Sequence, residues 1–152
     1  MPEVETRRFT VGVFQDVKWA ERGIEALKRR GFPAEALSVL AKESPEIAAL
    51  IKSAVDVDGV RLDLRGVGAV IGCGPLIESL QGDDQGLSRL GIASTMRRVG
   101  FQAHDGRIFE TLTARGGVLV AIVGEPRAAD ALALLHSYGG GNAAIGAWTG
   151  RV

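Results

Sequence analysis

What this sequence withholds narrows it before any motif is read. A single cysteine, Cys73, rules out an intrachain disulfide and fits a reducing compartment. Charge of neither sign prevails: 18 Lys and Arg stand against 18 Asp and Glu, so no overall field draws the chain to nucleic acid or to an anionic membrane. Aromatic residues make up only 5%, and no aromatic-interleaved basic stripe accompanies the local clusters Arg7-Arg8, Lys28-Arg29-Arg30 and Arg97-Arg98. Grooves that bind single strands combine basic side chains with stacking rings, so these clusters read as solvated ends of elements. Long apolar runs are missing too. Gly66 to Ile77 carries no charge but is too short to span a bilayer. Ala131 to Gly150 is long enough, but His136, Ser137, the triple glycine from Gly139 and Asn142 interrupt it. The opening Met1-Pro2-Glu3-Val4-Glu5 is acidic and lacks the apolar stretch of a secretory signal. The expectation is a cytoplasmic protein with no membrane and no nucleic-acid partner. At 152 residues it is read as one domain, 1–152, able to bury about two-thirds of the surface of its unfolded chain.

What is present is said nearly twice. The apolar run Phe9 to Phe14 leads into a helix-patterned stretch that closes on Gly31, and Val118 to Val123 leads into another that closes on Gly139. In the first, Asp16 caps a helix to about Arg30, with Ala20, Ile24 and Leu27 on one face at helical period. Glu25 is spaced to meet Lys28 and Arg29 on the wet side. Gly31 supplies the left-handed cap, Pro33 prevents continuation, and Ala36 to Ala41 returns as a strand. In the second, Pro126 starts a helix whose apolar face is Ala128, Leu132 and Leu135, and Asn142 to Trp148 forms the final strand. Superposing the halves pairs Ala20 with Ala128, Ile24 with Leu132, Leu27 with Leu135 and Gly31 with Gly139. Two strand–helix–strand halves, 9–41 and 117–148, merge most simply into the ferredoxin-like α+β arrangement, one antiparallel four-stranded sheet with helices on one face. Val11, Val13, Val118, Val120 and Ile122 are then expected in one core with Ile24, Leu27, Leu132 and Leu135. The opposite face needs cover, from the middle of the chain or from a second subunit, which makes a homo-oligomer the expected state.

The middle, 44–114, reads as a helical, glycine-rich insert. Ser44-Pro45-Glu46 starts a helix through about Ser53, and Val60, Leu62 and Leu64 alternate as a short strand. Asp58-Gly59 has the composition of a hairpin turn after Val55 and Val57. Ser88 to Val99 and Ala103 to Ala114 are helix-like. The spacing Gly66-x-Gly68-x-x-x-Gly72 superficially resembles a dinucleotide loop, but Gly74-Pro75 interrupts it and Asp83-Asp84 come too early for the ribose acid. Close backbone packing accounts better for Gly66, Gly68, Gly72, Gly74 and Pro75, which are named as packing or interface candidates. Trp19 and Trp148 join them as core or interface anchors. Cys73 has no basic neighbour in sequence and reads as a small buried hydrophobe rather than a reactive thiol. His104-Asp105 is better explained by a helix cap from Asp105 than by an acid–base pair, and His136 by the end of a helix. No metal-ligand spacing joins the two histidines and the cysteine. Catalytic residues, metal and cofactor are therefore all expected to be none.

The stretch Gly66-Val-Gly-Ala-Val-Ile-Gly-Cys-Gly-Pro-Leu-Ile-Glu-Ser-Leu80 resembles the central segment of the heat-induced stress protein YflT family, also called general stress protein 17M-like. Val11-Gly-Val-Phe14, Ala20-Glu21 and Gly31-Phe-Pro33 resemble that family's opening, and Gly91-Ile92, Phe109-Glu110 and Arg115-Gly-Gly-Val-Leu-Val120 its second half. The middle here is shorter and less rich in alanine, and Asp83-Asp84 follow it. The resemblance implies a stress-associated protein and supplies no catalytic residues. The expected function is a non-enzymatic module acting by protein–protein contact or self-association, with a small-molecule-sensing regulatory domain as the alternative.

Overall fold

The structure, a computed structural model, describes residues 9–123 together with Ala133. The proposed second helix with Leu132, Leu135 and His136, and the final strand with Trp148, lie outside the described residues. Within them the chain is α+β. The strands are β1 (Phe9–Phe14), β2 (Leu37–Lys42), β3 (Val60–Leu64), β4 (Gly68–Cys73) and β5 (Val118–Val123). The helices are α1 (Val17–Arg29), α2 (Pro45–Val55), α3 (Pro75–Gln81), α4 (Gly86–Leu90), α5 (Ile92–Thr95) and α6 (Ala103–Ala114). All five strands form one antiparallel sheet in the order β1-β5-β2-β4-β3. Because β5 is antiparallel to both β1 and β2, those two run parallel to one another, and β1–α1–β2 is a split βαβ unit with β5 inserted.

Local chemistry fixes α1 at both ends. The Trp19 amide donates to Asp16 Oδ1 at 3.0 Å, satisfying one of the free N–H groups of the first turn. At the other end Phe32 N–H donates to Leu27 O and Gly31 N–H to Lys28 O, with Gly31 at φ +92°, the two reverse bonds of a Schellman cap. Phe32 and Leu27 both enter the core, giving the apolar contact that accompanies this cap. Glu25 meets Arg29 at 3.9 Å as the spacing predicts, but Lys28 turns away and donates to Ala54 O of α2 at 2.9 Å. Ser44 caps α2 by accepting from the Ile47 amide at 3.2 Å.

The sheet has five strands where four were expected, and helices lie on both faces and not on one; of the two expected covers, the middle of the chain is the one in place. On one side α1 and α2 bring Ala20, Ile24, Leu27, Ile47, Leu50 and Ile51 against Val39, Ile71, Val118, Val120 and Ile122. On the other, α3 to α6 bring Leu76, Leu80, Leu87, Ile92, Met96 and Phe109 against Leu40, Val70, Leu119 and Ala121. Each fully buried Leu or Ile contributes about 1.5–3 kcal/mol, so either face left open to water would cost several such terms. The insert therefore closes the fold itself, and the argument for a subunit on that face falls.

Four further readings are corrected. Val11 and Val13 do not share a core with Val118, Val120 and Ile122. Their partners across the ladder are Ala121 and Leu119, and cross-strand partners share a face, so Phe9, Val11 and Val13 point to the α3–α6 side. The insert is not simply helical, because β3 and β4 form a hairpin that extends the sheet beyond β2. Its turn is at 65–67, where Val67 N–H donates to Leu64 O, and not at Asp58-Gly59, because Val55 belongs to α2. Ser88 to Val99 is also not one helix: it divides at Gly91 between α4 and α5 and continues as a 3₁₀ turn, Met96–Val99.

Candidate functional site

The glycine-rich stretch is built for close approach to β2. A Cβ on Gly72 would stand 2.8 Å from Leu40 Cδ1 and 3.1 Å from Val39 O. On Gly74, at φ +103°, it would press into the Leu37 carbonyl oxygen and stand 2.6 Å from Ser38 Cα. Pro75 follows as the first residue of α3, where its missing N–H costs nothing. Gly74 has no side chain to cap that helix. Ser38, wholly buried on β2, does so instead: its Oγ accepts from Leu76 N–H at 2.9 Å. No local signal marks Ser38 as a cap, since its partner is 38 residues away. At the hairpin turn, a Cβ on Gly66 would be 3.1 Å from Glu110 Oε2 of α6. Gly68 departs from the expectation. A Cβ there meets nothing within 4 Å, so its φ of +100°, and not packing, is what asks for glycine.

Cys73 lies in the middle of this stretch, facing the α1–α2 core at 7% exposure. Burial pushes its thiol above the ordinary value, against a smaller opposite effect from its hydrogen bond to the Val39 backbone. Such a thiol is an apolar packing group with little thiolate to offer. Trp19 is half-buried at the rim of that core, and the Arg22 guanidinium sits 5.0 Å from its ring centroid.

His104 and Asp105 fall in the first turn of α6, whose N-cap is Gln102. Asp105 is therefore inside the helix and not its cap, which lies three positions earlier. An open hollow of about 440 Å³ runs along the outer side of α6, lined by His104, Arg107, Ile108, Thr111 and Leu112. A second polar node joins α3, α4 and the 3₁₀ turn. Arg98 grips Asp84 with two bonds, Nη1 to Oδ1 at 2.8 Å and Nη2 to Oδ2 at 2.6 Å, and also donates to Leu80 O at 3.2 Å. The Arg98 guanidinium holds the Asp84 carboxyl down at about 2, helped by the Gly86 amide donating to Oδ1. Asp84, which the sequence placed too early to be a ribose acid, is thus the tie of the insert's helices.

Among the described residues, three large apolar side chains are exposed: Val57 at 41%, Val60 at 55% and Leu90 at 40%. Val57 precedes β3, Val60 begins it, and Leu90 ends α4, which packs on β3. They lie along the β3 rim, one of the two edges of the described sheet, the other being β1. No described group of three or more His, Cys, Asp or Glu side chains is arranged to hold a metal ion, and no described helix is long and apolar enough to cross a membrane. Comparison with protein-family models, with curated proteins and with solved structures finds no match.

Proposed function

We propose that the chain is a non-enzymatic, stress-associated module that works by protein–protein contact along the rim of β3. The observation that carries this reading is the gathering of Val57, Val60 and Leu90 beside an open strand edge. Such an edge offers unpaired N–H and C=O groups as a template for another chain, and apolar side chains next to it add burial on contact. Association with stress is supported by the resemblance of Gly66 to Leu80 and its flanks to the YflT family, which rests on those motifs alone. A ferredoxin-like core is supported by the split β1–α1–β2 unit with β5 between its strands. A cytoplasmic setting is supported by the buried free thiol of Cys73. No nucleic acid, metal or cofactor enters the proposal.

A photo-reactive side chain at Val60, with one at the exposed Lys18 on α1 as control, tests it inside cells. Discrete cross-linked products from position 60 and none from position 18 are expected. No discrete product from position 60 overturns the contact reading. The small-molecule alternative is favoured by the hollow on α6, where His104, Arg107 and Thr111 offer polar groups beside Ile108 and Leu112. A ligand of that hollow raises the melting temperature by mass action and loses its effect in Arg107→Ala.

A further inference from the structure

We propose that β3 is a self-pairing edge: two copies of this chain join antiparallel about a two-fold axis through Leu62, making one sheet continuous across both. The inference rests on the contact reading above and names the partner. Its basis is the order Val60-Arg61-Leu62-Asp63-Leu64 together with the way the strand is hung on β4.

The hydrogen-bond phase comes first. Glu43 N–H donates to Ala69 O, so the polar backbone of Ala69 turns toward β2 and that of Val70 toward β3. Val70 faces Leu62 across the ladder, so Leu62, and by alternation Val60 and Leu64, spend their backbone groups on β4. The N–H and C=O of Arg61 and Asp63 are left on the open edge. In an antiparallel ladder, residues that exchange both bonds sit directly opposite one another. Centring the pairing on Leu62 places Arg61 opposite Asp63 of the second copy, and Asp63 opposite its Arg61. The four outward groups of each edge then all find partners, and the two Leu62 side chains meet in the closer, non-hydrogen-bonded position.

The side chains agree with the same phase. Arg61 and Asp63 lie opposite Ile71 and Ala69, on the α1–α2 face, and the pairing sets each guanidinium across from a carboxylate. Val60, Leu62 and Leu64 lie on the other face, where Val60 comes to stand over Leu64 of the second copy. Neighbouring registers fail. A shift one way puts Arg61 opposite Arg61; a shift the other way puts Asp63 opposite Asp63 and Arg61 opposite Arg65. Parallel pairing in register also matches like with like. Charges on an edge strand ordinarily protect it from association, but here opposite signs two residues apart cancel in one register and forbid the rest. Glu43, already paired with Arg61 within the chain, flanks the guanidinium from the other side. With formal net charge zero, two copies meet without overall repulsion.

Sedimentation equilibrium of the full chain across a wide concentration range is the test, with Asp63→Arg and the swap Arg61→Asp/Asp63→Arg as variants. Asp63 is exposed and makes no salt bridge with another described residue, so Asp63→Arg leaves the fold intact, as circular dichroism will check. The wild-type mass is expected to rise from 16.0 kDa toward twice that value. Asp63→Arg turns both cross-strand pairs into repulsions and should weaken association by about tenfold or more, and the swap should restore it. Concentration-dependent slowing of amide exchange at Arg61 and Asp63 would locate the seam. A wild type that stays monomeric up to about 1 mM, or an Asp63→Arg dimer as tight as wild type, overturns the proposal. A discrete adduct to a different protein from position 60, with a wild type that stays monomeric, sinks self-pairing while leaving the contact reading standing.

Discussion

Gly74→Ala and Gly68→Ala form a matched pair that separates strain from close approach. Both glycines lie near φ +100°, a region an alanine enters at a cost of order 1–3 kcal/mol. At Gly68 that is the whole effect, since the added methyl meets nothing within 4 Å. At Gly74 the methyl is driven into the Leu37 carbonyl and lies 2.5 Å from Ser38 Oγ, and backbone cannot yield as a flexible side chain does. Overpacking of this kind adds about 1–3 kcal/mol. Displacing Ser38 also strands the buried Leu76 donor, adding about 1–3 kcal/mol more. The expected losses are thus about 1–3 kcal/mol for Gly68→Ala and about 3–9 kcal/mol for Gly74→Ala, the latter a large fraction of a typical domain's total stability. Urea denaturation followed by circular dichroism reads the difference as a shift in midpoint at constant slope. Should Gly74→Ala cost no more than Gly68→Ala, the tight seating of β4 and α3 against β2 is refuted.

Three other outcomes follow from the same contacts. Ser38→Ala should destabilise by about 1–3 kcal/mol and speed amide exchange at Leu76, whereas unchanged exchange there would mean that Ser38 does not cap α3. Asp84 is held near 2 while an ordinary aspartate titrates near 3.9, so as pH falls the unfolded chain takes up this proton first. The Arg98–Asp84 tie therefore supports the fold fully above about pH 4 and is lost as pH drops through about 2; Asp84→Asn should flatten that part of the stability curve, and an identical curve for the variant would discount the tie. Cys73 should react slowly with a thiol reagent in the native protein and rapidly in urea, and fast native labelling would contradict its burial.

The elements that a reader finds in the sequence are those whose cause is local. Asp16, Ser44 and Gly31 act on residues within five positions, and each sits where its chemistry indicates. The period-two run Val60 to Leu64 is a strand, and the apolar run Val118 to Val123 lies at the sheet's interior between β1 and β2. What escaped were facts about which surface meets which. Nothing near Val11 says that its neighbour across the ladder is Ala121, yet that pairing alone decides which core it enters. Gly23 and Gly106 lie inside α1 and α6, where a glycine weakens a helix. In the structure a Cβ on Gly23 would stand 2.5 Å from Phe14 Cζ, and one on Gly106 would stand 2.8 Å from Ala93 O of α5. They are places where a ring and a helix come close, and only the fold supplies the ring and the helix.

The same distinction governs the inference about association. A bare sheet face was the wrong reason to expect a second subunit, because α3 to α6 occupy that face. The edge gives a different reason, and it combines both kinds of information. The alternation Val-Arg-Leu-Asp-Leu is written in five consecutive residues and is readable without coordinates. It acquires meaning only once β3 is known to lie at the rim, with Leu62 bonded inward to β4. Had the hydrogen bonding been out by one residue, Arg61 and Asp63 would spend their backbone groups on β4. The open edge would then present those of Val60, Leu62 and Leu64, and the register favoured by charge would no longer be the one that exchanges bonds between Arg61 and Asp63. That charge, backbone phase and apolar face select one register is what makes the Asp63→Arg variant and its swap decisive.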